Sequence, residues 1–268
     1  QFLKNSFYLG MGMAFFPAIF SSCKDEESLQ ISFNGKVIVI GAGAAGMMAG
    51  YMLKKNNIDF EIIEASQVFG GRVKKANDFA DFPIDLGAEW IHDKPSIFGR
   101  LISDTTVKGE IDLVPYDPST GYWLRNGKLI KGNWATNFDA EYKFKHSTWY
   151  DFFSYFIISG IQDHIRYSSP VTQIDYTGDM VKVRNAQDKV FEADKVLVTV
   201  PTNVLKANII SFIPDLTSEK RDALNGATMP DGIKVFIEFS ERFYPDVINV
   251  SIPDGTNSDE KVFYDAAF

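Results

Sequence analysis

Residues 36 to 64 read KVIVIGAGAAGMMAGYMLKKNNIDFEIIE, and no other stretch limits the fold so strongly. A β-branched apolar run, Val37 to Ile40, leads directly into Gly41-Ala-Gly43-Ala44-Ala45-Gly46. A helix-forming segment follows, and a second strand, Phe60 to Ile63, ends on Glu64. Strand, glycine-rich turn, helix and strand in this order predict a βαβ unit. Gly41 allows the tight turn, Gly43 lets backbone approach a pyrophosphate, and Gly46 lets the helix lie close on the sheet. The helix amino terminus, at Ala44 and Ala45, then faces the phosphates. Glu64, followed by Ala65, is placed to accept hydrogen bonds from a ribose hydroxyl.

The chain has 268 residues, enough for one large domain or two modest ones. With 27 basic and 35 acidic residues its net charge is −8, and no basic run stands out, which argues against a nucleic-acid partner. One cysteine excludes an internal disulfide or a cysteine-based metal site, and His92, His146 and His164 are too scattered for metal-ligand spacing. The first residue is Gln rather than Met, and the last residues carry no terminating signal, so a fragment of a longer chain is expected.

Phe7 to Phe20 is apolar but short for a membrane span, and fits the core of an export signal. Ser21-Ser22-Cys23 follows and resembles a bacterial lipobox, with acidic residues Asp25 to Glu27 behind it. Cleavage before Cys23 would leave that cysteine to carry lipid and hold the protein at a membrane on the exported side. The opening Gln1-Phe2-Leu3-Lys4 resembles the end of a twin-arginine signal. Residues 1–33 are therefore read as leader and linker.

Beyond the βαβ unit, Phe69-Gly70-Gly71-Arg72 offers a second close-approach loop with a guanidinium to neutralise phosphate. Asp85-Leu-Gly87-Ala88-Glu89-Trp90-Ile-His92 comes next. With these motifs in order, the chain resembles the flavin-containing amine oxidase family, which includes monoamine and polyamine oxidases. The resemblance implies FAD as cofactor and an amine plus O2 as small-molecule partners. It places Gly87, Ala88, Glu89 and Trp90 beside the isoalloxazine, with His92 and Glu89 as candidates near the flavin. One departure is Val68, where the family commonly has Arg. Ser169-Pro170-Val171 resembles the segment whose valine contacts the adenine end through its backbone.

Gly232 to Phe239 reads GIKVFIEF. Its apolar odd positions 233, 235, 237 and 239 predict a strand with one buried face and Lys234 on the other. The resemblance makes Lys234 the lysine that holds a water beside the flavin. Tyr122 to Ile130 reads as a hairpin with an Asn126-Gly127 turn. Phe144 to Ile165 is aromatic-rich, with Ser147 or Thr148 as helix N-cap and its rings expected in the core.

The expected fold is α/β, with a discontinuous Rossmann-like FAD domain and an inserted α+β substrate domain. Residues 34–95 and 166–205 form the FAD domain. Residues 96–165 form an abbreviated substrate segment, and 206–268 hold substrate-domain strands that stop before a carboxy-terminal FAD segment. The implied activity is amine oxidation. Two alternatives remain open: a desaturase or porphyrinogen-oxidase type of flavoenzyme, and a flavin-binding lipoprotein without turnover.

Overall fold

In β1 (Lys36–Ile40) every residue after the first is buried, as a central strand covered on both faces requires. The structure, a computed structural model, describes residues 33–92, 111–132, 141–229, 232–250 and 261–266. The leader and Cys23 lie outside them. Helix α1 (Ala44–Lys55) starts at Gly43 and buries Gly46, Met47 and Gly50. It ends at Asn56, with Lys54 and Lys55 in the last turn, where they oppose the negative end of the helix dipole. Next, β2 (Asp59–Ile63) returns parallel to β1, pairing Lys36 with Asp59 and Ile40 with Ile63. The close helix approach depends on Gly46, where a Cβ would fall 1.8 Å from the Gly41 carbonyl oxygen.

Short strands β3 (Lys75–Ala76) and β4 (Ile84–Asp85) pair antiparallel. After them come β5 (Asp112–Pro115), β6 (Gly121–Arg125), β7 (Lys128–Gly132) and β8 (Tyr142–Lys145). The β6–β7 hairpin turns at Asn126 and Gly127, both at positive φ (50° and 71°), the geometry an Asn-Gly turn favours. Helix α2 (Trp149–Phe153) is capped by Thr148, whose hydroxyl accepts the Asp151 N–H. It continues through a π-helical turn, Ser154–Ile158, and buries Phe152, Phe153 and Phe156, so these aromatics are core.

The remaining strands are β9 (Ile165–Arg166), β10 (Val171–Asp175), β11 (Val181–Asn185), β12 (Val190–Ala193) and β13 (Lys195–Val198). They are followed by α3 (Thr202–Lys206), β14 (Ser211–Ile213), α4 (Ser218–Gly226), β15 (Val247–Val250) and β16 (Lys261–Tyr264). Among the described residues these strands form three four-stranded sheets, beside the β3-β4 and β5-β8 pairs. The first, in the order β13-β1-β2-β9, is wholly parallel and gathers strands from residues 36 to 198. The second runs β12-β11-β10-β14, and the third β16-β15-β6-β7. Ile38, Ile40 and Ile63 of the first sheet share a core with Val171, Ile174, Val183 and Phe191 of the second.

Two features differ from the sequence reading. Residues 211–213 were grouped with the segment 206–268, yet β14 pairs in parallel with β10. Residues 232–239 form no strand, and their faces are inverted. Ile233, Val235, Ile237 and Phe239 are exposed, at 88%, 72%, 65% and 46%. Lys234 and Phe236 turn inward, Phe236 against Phe79 and Lys234 toward two carboxylates. Alternation correctly separated the two faces but could not say which was buried. The ion partners of Lys234 decided that.

Candidate functional site

Two neighbourhoods gather the chemistry. At the first, the end of β1, the glycine-rich turn meets the second glycine pair. Gly70 donates its N–H to the Ala42 carbonyl at 2.8 Å, and Gly43 and Gly70 form a bridge. Helix α1 has no side-chain cap and no acidic residue in its first turn, so its amino-terminal N–H groups point to an open, electropositive end. At Gly43 a Cβ would meet nothing within 4 Å, so the backbone there faces free space. Glu64 is buried, and its two oxygens accept the N–H of Ala42 (2.6 Å) and of Ser66 (2.8 Å). These amides fix the carboxylate at the mouth of the turn and leave it further lone pairs. Ala65, Gly71 and Arg72 are exposed around it.

The second neighbourhood is an ion cluster under the 85–92 segment. Ile91 and Tyr142 exchange both backbone hydrogen bonds (2.9 and 3.0 Å), which seats Glu89 beside β8. Glu89 is buried. Its Oε1 lies 2.9 Å from Lys143 Nζ, and its Oε2 accepts from Lys234 Nζ at 2.7 Å and from the Tyr264 hydroxyl. Burial alone would raise the Glu89 pKa, but Lys143, Lys234 and Tyr264 together hold it below the usual carboxylate range. Lys143 is 5% exposed and is surrounded by the rings of Trp90 (5.3 Å), Tyr116 (5.9 Å) and Tyr264 (5.6 Å). Asp85 behaves oppositely. Burial, followed by the nearby Glu89 charge, pushes its pKa up to about 7, against the Trp149 N–H and Lys234. Burial and then Glu89 also raise Tyr264, and burial, Asp246 and Glu89 raise Tyr116.

A cavity of about 420 Å³ opens against this cluster, with Asp85, Glu89 and Lys143 among its walls. Gly87 lies on the segment between Asp85 and Glu89. A Cβ there would fall 1.7 Å from the Arg72 carbonyl oxygen, so the 85–89 segment can lie against the 70–73 loop only with glycine at that position.

Comparisons with known proteins match two stretches of the chain. Residues 160–265 match the family described as flavin containing amine oxidoreductase, and residues 39–103 match the NAD(P)-binding Rossmann-like domain. Polyamine oxidase 3 of Oryza sativa subsp. japonica is 24% identical over 319 residues, covering 88% of this chain and 66% of its own length. Lysine-specific histone demethylase 1B of Mus musculus is 41% identical over 80 residues, 30% of this chain and 10% of its own. A solved structure of wild-type putrescine oxidase bound to putrescine superposes with a TM-score of 0.57 at 14% identity, covering 72% of this chain and 63% of that one. That likeness concerns the fold. Over these stretches the chain is similar to flavin-containing amine oxidases. It spans between about three-fifths and two-thirds of the length of the polyamine oxidases it matches.

A match to a flavin-containing family implies FAD, and the residues present fit it. The uncapped helix end at Ala44 to Gly46 suits a diphosphate, and Glu64 suits a ribose. The space in front of Gly43 admits a close approach.

Other sequence candidates are placed less centrally. Val171 is buried in the core shared by the two sheets, so its side chain serves packing. The His92 side chain is 72% exposed, with Nδ1 2.9 Å from the Glu141 carboxylate. Ala88 is exposed and Trp90 half-buried against Tyr116. Val68 is exposed. Lys143, Tyr116 and Tyr264 were not anticipated. In YKFK, Lys143 has the alternating pattern of a solvated strand lysine, and only the pairing of Tyr142 with Ile91 turns it inward.

Proposed function

We propose that the protein oxidises an amine with FAD, and that the cavity beside Glu89 receives the substrate. The observation that carries this reading is Lys234, held by Glu89 Oε2 at 2.7 Å and by the Asp85 carbonyl at 3.3 Å. FAD, when bound, accepts a hydride equivalent from the carbon next to the substrate nitrogen and passes the electrons to O2 as peroxide. The chain itself supplies position and electrostatics. An ammonium group has three donors. Two on Lys234 are used, leaving one for a water at the reacting end of the substrate. Glu89 and Asp85 fix that donor's direction. The walls at Phe82, Pro83 and Val114 keep bulk water from the amine.

The full-length FAD-loaded protein should release peroxide with at least one amine from a broad panel, read by a peroxidase-coupled assay. Lys234→Met should keep flavin content and melting temperature within error, because Glu89 retains Lys143. It should lose at least tenfold in the rate of flavin reduction or reoxidation, measured by stopped-flow absorbance. Wild-type rates in both half-reactions would remove Lys234 from the mechanism. From the leader we further infer export and lipid attachment at Cys23. Cys23→Ser should move the protein to the soluble fraction, and unchanged fractionation would refute the anchor.

A further inference from the structure

Recognition of a cation inside a protein requires an acceptor and, where water is excluded, aromatic faces to replace its hydration. The box around Lys143 has all of these. Glu89 Oε1 lies at 2.9 Å, the Ala266 carbonyl at 3.3 Å, and Trp90, Tyr116 and Tyr264 present their rings at 5.3 to 5.9 Å. Its occupant is the chain's own ammonium, with a side chain only 6% exposed. The other oxygen of Glu89 is taken by Lys234 and Tyr264. We propose that Lys143 determines the substrate class by filling this box from within, so that the cavity takes amines with a single cationic nitrogen and rejects diamines and polyamines. This rests on the reading of the cavity as the amine site.

Charge around the cavity supports the same conclusion. Its buried carboxylates are Glu89 and Asp85. Glu89 already faces two ammonium groups. Asp85 is pushed up to about 7 by burial and by Glu89, so near neutral pH it carries only part of a charge. The other ionisable walls, Asp81, Lys145 and His146, are exposed and screened by solvent. A second substrate ammonium would therefore enter a partly dry space beside Lys143 without a free buried anion to receive it, and like charges a few ångströms apart repel strongly there. A monoamine meets no such penalty on its apolar tail.

The test compares butylamine with 1,4-diaminobutane on the full-length FAD-loaded protein. Binding is read by isothermal titration calorimetry under anaerobic conditions on protein whose flavin has first been reduced with dithionite, so that no hydride is transferred on mixing, and turnover of the oxidised protein by peroxide release. Wild type should bind butylamine at least tenfold more tightly than diaminobutane. Lys143→Met, which vacates the box and frees Glu89 Oε1, should shift that ratio at least tenfold toward diaminobutane, while Lys143→Arg should retain the wild-type preference. Equal or tighter binding of diaminobutane by wild type, an unchanged ratio in Lys143→Met, or no butylamine binding at millimolar concentration would each overturn the proposal. If Lys143→Met does not fold, the wild-type ratio decides. Discrimination in calorimetry without peroxide release would sink amine oxidation but leave the role of Lys143 intact. Turnover with preferred diamine binding would sink the role of Lys143 alone.

Discussion

Glu89 and Asp85 are four residues apart and carry opposite electrostatic fates. Both are buried, and burial disfavours their charged forms. Glu89 recovers that cost from two ammonium groups and a phenol, whereas Asp85 has one backbone N–H, from Trp149 at 3.2 Å, and a like charge nearby. The consequence for stability has a definite sign. The folded pKa of Asp85, about 7, lies above its value in the unfolded chain. Its favourable contribution is therefore complete below the unfolded pKa and is lost as the pH rises from about 4 toward 7. The groups that set it are Glu89, Lys234 and Asp151. Asp85→Asn keeps an acceptor for Trp149 and removes the charge. It should stabilise the protein, and by about 1–2 kcal/mol more at pH 8 than at pH 5 after allowing for screening. Urea unfolding of both proteins at the two pH values measures this. A constant difference between them would show that Asp85 ionises normally in the fold.

At the scale of elements, sequence was most informative where the partners are close in the chain. β1, α1 and β2 occupy residues 36–63, and their glycines, apolar runs and terminal Glu64 all act within that span. The Asn126-Gly127 hairpin and the Thr148 cap were legible for the same reason. The segment 232–239 was not. Its alternation defines two faces, but the inward one depends on Glu89, about 145 residues earlier. Apolar side chains at 233 and 235 therefore lie on the exposed face. Ile233→Ser and Val235→Ser should each change stability by less than about 0.5 kcal/mol, as exposed substitutions do. Phe236→Ser, on the inward face beside Phe79, should cost more. Thermal denaturation of the three single variants tests the inversion. A loss of about 2 kcal/mol or more at Val235 would restore the face read from the sequence.

Considered as a whole, the molecule assembles its ion cluster from residues 89, 143, 234 and 264, which no local pattern could bring together. Sheet register does this instead. The Ile91–Tyr142 exchange places Glu89 beside Lys143, and the β16-β15-β6-β7 sheet carries Tyr264 to the same point. Val247 lies at the base of this arrangement. It is 2% exposed on β15, paired with Gly121 on one side and Tyr264 on the other, and shares a core with Tyr116, Trp90 and Trp123. The nucleotide neighbourhood draws on a different core, built from Ile38, Ile40 and Ile63. The two should therefore respond separately to damage. Val247→Ala leaves a cavity beneath Tyr116 and Tyr264 and should cost about 2 kcal/mol. It should also loosen the aromatic faces around Lys143 and so reduce the discrimination between butylamine and diaminobutane. FAD content per protein should stay at the wild-type level, because Gly43 and Glu64, read as holding its diphosphate and ribose, follow strands of the other core. Flavin absorbance and calorimetry on the same preparation read both effects. Loss of FAD in step with loss of amine discrimination would show that the third sheet and the parallel sheet form a single cooperative unit.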